Sequence, residues 1–471
     1  MPEFFIRGLA FIMAATISVS GAELPRSGSE KAALQLLGEL VAEDTSLGHG
    51  GVPKVTAALA ARFRAAGFPS ADITIIPVLD TAALVVRYRG ARSGKPPIDL
   101  IAHLDVVAAR AEDWGRNPFE LTNENGYLIG RGTLDVKGEV ALLVTTLIDL
   151  KSEGYTPSRD LILVLTGDEE TTGDTAEALV TDHRNLIDAE FALNADNLGG
   201  GTLDETDGRP LLFRVQGSEK ASARFVIRTR NAGGHSSQPR ADNAIYALAD
   251  ALKAVERYAF PLRWNEWTLG DFAGTGDVIS GSLGDAMRRF SVNQKDTEAA
   301  QQIAQESAFV GRLRTTCVAT QLQGGHAPNA LPQSATATLS CRIFPGESMQ
   351  DIHDQLQTIV GPKVEVIDGP RITPAPFSPL RADVLAAVNV AIQAAHPGAR
   401  VIPTQSSYGT DGATFRLAGI PTYGVGGLFI KESEQFAHGL NERIPFQSFE
   451  AGLEYWKRLI QSLAPPAPAP Q

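Results

Sequence analysis

Three short segments of this 471-residue chain are mostly apolar and do not alternate: 98–104 (IDLIAHL), 161–165 (LILVL) and 191–194 (FALN). A strand with one wet face alternates apolar and polar residues, so a run without alternation must be buried on both faces. Helical patterns at 139–152 and 175–183 separate these runs, and further strands are expected at 73–78 and 83–88. Residues 31–67 read as helical, ending at Gly67. Strands alternating with helices predict an α/β sheet covered on both sides.

The pattern changes after Gly217. Segments 221–229 and 336–343 alternate, as antiparallel strands with one exposed face do, and helical patterns lie at 243–258 and 349–360. The α/β pattern then resumes with a helix at 380–395 and a buried strand near 421–425. A second, α+β unit therefore interrupts the first. The expected division is a signal peptide at 1–22, a main domain at 23–218 and 373–462, an inserted domain at 219–372, and a Pro-rich disordered tail at 463–471.

The first boundary rests on an apolar run at 9–19 followed by Ser20-Gly21-Ala22, the form of a secretory signal. It is too short to span a bilayer. Export to a periplasm or the exterior is expected, with no stable membrane span after cleavage; the competing reading is an N-terminal anchor. A net charge of −12 without a basic patch argues against nucleic acid. The two cysteines cannot make a four-cysteine zinc site, so a metal would need His and carboxylates. Cys317 and Cys341 fall on two expected neighbouring strands, which permits a cross-strand disulfide without guaranteeing its geometry.

The apolar runs end in chemistry. His103 and Asp105 close the first, Asp168, Glu169 and Glu170 follow the second, and Asp196 follows the third. Asp135 sits in a glycine-rich turn before a helix, and His438 is read as following the last strand. Ligands of open α/β sheets bind at the carboxyl edge of the strands. Taken singly, each carboxylate is an ordinary loop residue. Gathered at one edge they repel, and divalent metal relieves the repulsion. Two His and three carboxylates suit a two-zinc site bridged by Asp135, with Asp105 orienting His103. One of Glu169 and Glu170 would then be free as a general base, and spacing does not say which. His49, His183, His353 and His396 read as solvated, and His326 as bystander. Trp264 and Trp267 read as packing.

The blocks AHLDVV, GRGTLDVKG, TGDEETTG, NADNLGG, GGHSSQP, GGHAPNALPQSATATLSCRIFPGE, GTDGATF and FAHGLNE resemble the cocatalytic zinc metallopeptidases. That family includes carboxypeptidase G, aminoacylase, acetylornithine deacetylase and succinyl-diaminopimelate desuccinylase. The blocks stand in family order over about residues 30–462, and the insert near 255–312 is most similar to the carboxypeptidase S and secreted N-acyl amino acid hydrolase branch. Val136 departs from the Asp or Met of many relatives.

The resemblance implies a mixed sheet flanked by helices, with a ferredoxin-like lid and dimerisation domain. It implies two Zn2+ per chain, with Co2+ or Mn2+ as possible substitutes: His103 and Asp196 on one, Glu170 and His438 on the other, Asp135 between. Glu169 would be the base acting on a water activated at the zinc pair. His235 would reach across a homodimer to hold the oxyanion, and Asn329, Arg342 and the Gly409 backbone N–H would hold a substrate carboxylate. The expected activity is cleavage of an amide or peptide bond beside a free carboxylate, as in a metallocarboxypeptidase. N-acyl amino acid deacylase and dipeptidase are the alternatives, and a metal-free scaffold is the reading from another class.

Overall fold

The computed structural model describes residues 27–91 and 94–467. The expected signal peptide and the last four residues of the expected tail lie outside the described residues. No helix among the described residues is long and apolar enough to cross a membrane.

A ten-stranded mixed sheet forms the base. Its centre is four parallel strands in the order Leu161–Thr166, Ile98–His103, Phe191–Asn194 and Thr422–Gly424. The solid apolar runs follow from two-sided burial. Leu100 and Ala102 enter one core with the helices Gly28–Ala42, Lys137–Ser152, Ala382–Ala395 and Phe446–Leu463, while Ile101 enters the opposite core with Asp174–Thr181 and Gly412–Leu417. Each leucine or isoleucine so buried stabilises by about 1.5–3 kcal/mol relative to exposure. Because the central strands are parallel, their carboxyl ends share one edge.

A smaller antiparallel sheet joins Thr316–Gly324, Ser334–Ile343, Ala221–Arg230 and Glu365–Asp368, in that order. Helices Ala244–Arg257 and Met349–Val360 cover one face, and the chain order β-α-β-β-α-β is the ferredoxin-like one. Cys317 and Cys341 are directly opposite on two of its strands and are disulfide-bonded.

The helices Glu266–Gly276, Ser282–Val292, Thr297–Ala304 and Ser307–Val310 lie between small-sheet elements in sequence but form their own core, and Glu266–Gly276 packs on the large sheet. Gly270 and Gly274 make this possible: a Cβ there would come within 2.2 Å of Pro403 and Ile402 side chains. Trp267 is fully buried and donates to the Ser378 carbonyl at 2.8 Å, a packing role as expected.

Four details differ from the sequence reading. Residues 31–67 are two helices, Gly28–Ala42 and Gly51–Ala65. Asp44 accepts from the N–H and hydroxyl of Ser46, and Gly48 and Gly50 take positive φ, so the chain turns there. Residues 464–467 are fastened rather than loose: Ser158 N–H donates to the Pro465 carbonyl at 2.8 Å and Ala467 N–H to that of Thr156 at 3.0 Å. His438 lies between two strands, Phe429–Lys431 and Arg443–Pro445, each too short to show in a sequence pattern. His396 is buried against Phe429, whereas His49 and His353 pair with Asp44 and Asp368.

Candidate metal centre and active site

His103 closes the central strand and is 1% exposed. Its Nδ1 lies 3.0 Å from the Asp105 carbonyl, which can only accept, so Nδ1 carries a proton. Nε2 faces Asp135 Oδ1 at 3.1 Å. The other oxygen of Asp135 lies 3.0 Å from His438 Nε2, which is also 2.9 Å from Glu170 Oε1. Asp135 thus stands between the two imidazoles, one oxygen to each.

Ligand atoms of His103, Asp135 and Asp196 lie within 4.8 Å of one another, as do those of Asp135, Glu170 and His438 and those of His103, Glu169 and Glu170. The first two sets share Asp135. Neutral imidazole nitrogens and carboxylate oxygens facing one another are all electron-pair donors, so this donor set fits divalent cations.

The proton affinities show the crowding. Burial, then the neighbouring Asp196, Asp411 and Glu170, pushes Glu169 up to about 10. Burial and Asp135 hold Asp196 well above the usual carboxylate range. For Asp135, burial would raise the pKa, but hydrogen bonds from His103 and His438 outweigh it and hold it low. Burial likewise opposes protonation of His103, yet its bonds to Asp105 and Asp135 raise it well above the ordinary imidazole value. In the bare protein, protons on imidazole supply the positive charge the carboxylates require.

Local turns aim these groups. Asp168 accepts from the Thr175 and Asp174 N–H groups at 3.0 and 2.6 Å and so satisfies two free donors at the start of the Asp174–Thr181 helix, whose N-cap is Gly173. That fixes the turn in which Glu169 and Glu170 N–H groups donate to the two Asp105 oxygens at 3.1 and 3.0 Å. Asp105 therefore braces His103 through its carbonyl and the Glu169–Glu170 turn through its carboxylate.

Glu442 was not singled out from the sequence. It is fully buried, and its carboxylate accepts from the Leu134, Asp135 and Gly132 N–H groups at 2.8, 2.9 and 3.1 Å and from Arg131 Nη1 at 2.6 Å. Arg131 also donates to the His438 and Gly439 carbonyls. This pair locks the Asp135 turn to the His438 loop. Its sequence signal is its place as the last residue of the FAHGLNE block, which by itself assigns it no role. Asp411 was missed too. It accepts from Thr166 Oγ1 at 2.5 Å, and burial pushes it up to about 7.

The remaining expected residues lie on the small sheet or beside it. His235 pairs across two short strands with Ala330, and Ser236 N–H donates to the Asn329 carbonyl at 3.0 Å, so His235 and Asn329 are neighbours, both exposed. Arg342 is eight residues beyond Ser334 on the strand that follows, roughly 27 Å at about 3.4 Å per residue. Arg342 therefore lies toward the opposite end of that strand from the loop that carries Asn329. Arg342 is instead close enough to Lys220 for the two charges to interact, and the Lys220 carbonyl lies 3.9 Å from where a Gly409 Cβ would be.

A sequence profile described as peptidase family M20/M25/M40 matches residues 100–462. The chain belongs to this peptidase family. It is accordingly a hydrolase acting on amide bonds. The human N-fatty-acyl-amino acid synthase/hydrolase is 27% identical over 386 residues, covering 78% of this chain and 74% of that one. A probable carboxypeptidase S-like protein of Dictyostelium discoideum is 25% identical over 390 residues, covering 78% and 71%. An M20 family metallo-carboxypeptidase from Sulfolobus solfataricus superposes with a TM-score of 0.66 at 16% identity, over 91% of this chain and 98% of that one, a likeness of fold.

Proposed function

We propose that this M20 member uses two zinc ions to cleave an amide or peptide bond beside a free carboxylate. The observation that carries this reading is the pair of donor sets sharing Asp135, with Glu169 half-buried alongside. His103 and Asp196 would hold one ion, Glu170 and His438 the other, and Asp135 both. When bound, such a pair lowers the pKa of water and polarises a carbonyl oxygen. Glu169 takes the proton from the attacking water and delivers it to the leaving nitrogen, a transfer worth about 10²–10⁴-fold from a positioned base. Asp105 keeps the His103 proton on Nδ1 and the Glu169 turn in place.

His235 Nδ1 accepts from the Ser237 N–H at 3.2 Å, which leaves Nε2–H to donate to a developing oxyanion. The place of Arg342 toward the far end of its strand from the Asn329 loop supports a homodimer. One subunit supplies His235 and Asn329, and the other supplies the zinc ligands, Arg342 and Gly409. The small sheet offers an edge for pairing, Thr316–Gly324, where Val318 and Leu322 are 59% and 66% exposed. The small sheet with its two helices would be the lid and dimerisation domain within 219–372, and 23–218 with 373–462 the catalytic domain. Export after loss of residues 1–22 belongs to the same reading and suits the disulfide.

The human relative's name favours the deacylase alternative, in which the bond cleaved joins an acyl group to an amino acid. Zinc-loaded protein assayed on N-acyl amino acids and dipeptides, each with a free or amidated carboxylate, tests the function. Hydrolysis that requires the free carboxylate is expected. Equal hydrolysis of the amidated compounds, or none of any compound, would overturn it.

A further inference from the structure

Asn197, next in sequence to Asp196, begins the wall of a cavity of about 330 Å³. Residues 197–202 form one wall, the strands carrying Arg214, Gln216 and Gln405 the floor, and Phe309 and Arg312 of the helical layer the opposite wall. Arg214 and Gln216 are two apart on Pro210–Glu219 and so face the same side, while Phe213 and Val215 enter the main core.

The two guanidinium groups differ. Arg312 Nη1 lies 2.7 Å from Asp271, which is fully buried, so its charge is matched. Arg214 Nη1 donates to Thr202 Oγ1 at 2.6 Å, and Nη2 is 3.6 Å from a Glu432 side chain that is 68% exposed. Its Nε is buried and has no partner among the described residues. Gln405 Nε2 and Gln216 Oε1 are also buried and unpartnered, on residues 0% and 3% exposed. Gln216 and Gln405 line the same cavity, and Arg214 brings to it a cationic group whose countercharge is mostly in solvent. An alkyl chain here would take the Arg214 charge out of water without a matched anion. A carboxylate matches the guanidinium fork.

We propose that Arg214, helped by Gln405 and Gln216, is a specificity residue whose cavity receives a second carboxylate of the substrate, distinct from the one beside the scissile bond. This rests on the amide-hydrolase reading above. The shared chemistry is a carboxylate a few bonds from the scissile amide, carried by the acyl group or by the amino acid side chain.

Two substrate pairs separate these sources. N-glutaryl-leucine is compared with its terminal carboxamide, and N-acetyl-glutamate with N-acetyl-glutamine, on the zinc-loaded dimer or monomer as it exists. In at least one pair kcat/KM should favour the acid by about tenfold or more, chiefly through KM. The ratio should fall to near one in Arg214→Met and be intermediate in Arg214→Lys, with metal content and circular dichroism unchanged. Calorimetry with glutarate gives a second readout, with binding weakened in Arg214→Met. No acid preference in either pair, or a preference that survives in folded Arg214→Met, overturns the assignment. If Arg214→Met fails to fold, the wild-type ratios and the Arg214→Lys ratio decide. If no N-acyl amino acid is hydrolysed at all, the parent reading falls, and the cavity stands only if glutarate binds wild type and not the variant.

Discussion

Replacing Glu442 by Gln keeps the size of the side chain and removes its charge. Four N–H donors point at this carboxylate, one of them on Arg131, whose side chain is 3% exposed. The amide can accept at only one end, so at least one backbone N–H of the Asp135 turn loses its partner, and the Arg131 charge is left buried and unmatched. Breaking one side of a buried ion pair costs about 3–5 kcal/mol. Urea unfolding of Glu442→Gln should show a loss of that size. Zinc affinity should fall as well, because the same pair ties the Asp135 turn to the His438 loop. The double variant Arg131→Met/Glu442→Gln should recover part of the stability, since no lone buried charge remains, but should not recover zinc affinity. Unfolding of Glu442→Gln at the wild-type midpoint with zinc binding intact would refute this account of the clamp.

Other perturbations address separate parts of the molecule. His396 is 7% exposed, stacks 4.0 Å from the Phe429 ring, and has its pKa lowered by burial from 6.5 to about 4. Below pH 6.5 the unfolded chain takes up a proton that the folded chain refuses until about 4, so this stability is complete above pH 6.5 and is lost as pH falls toward 4, roughly 3 kcal/mol in all. His396→Phe should flatten that acid limb in urea titrations, and an unchanged limb would contradict it. Denatured, unreduced protein should show no free thiol, and reduction should lower stability by about 2–4 kcal/mol; two titratable thiols would count against the Cys317–Cys341 bond. Mixing His235→Ala with Glu169→Ala under subunit exchange should restore roughly a quarter of wild-type activity, because about half the dimers are mixed and each has one working site; exchange without recovery would exclude action in trans.

The parts of the fold that sequence alone exposes are those where one physical requirement dominates. Strand 98–103 is legible because both faces enter apolar cores, and the ligands at its end are legible because they interrupt that run. The disulfide partners were visible only as candidates, since opposition across two strands leaves the side-chain geometry open. Glu442 and Asp411 are not legible as site residues, and Asp168 is legible only as one more acid after a strand. Each acts through backbone N–H groups or hydroxyls brought near by the fold, and an acid in a loop looks the same whether it holds a turn or faces water. His396 was misread for the opposite reason: its burial comes from Phe429, distant in sequence, and nothing around it marks that contact. The separation of Asn329 from Arg342 needed the strand itself, because two residues thirteen apart can be adjacent across a hairpin or far apart along a strand.

The central claim is that five residues hold the metal pair while Glu169 moves the proton. Metal content and turnover of Glu169→Ala and Glu170→Ala, measured side by side, test it most directly. Glu169→Ala should keep two zinc ions per chain and lose about 10²–10⁴-fold in kcat, whereas Glu170→Ala should lose zinc itself. Full turnover in metal-free wild type, or zinc loss in Glu169→Ala with both ions retained in Glu170→Ala, would contradict the account.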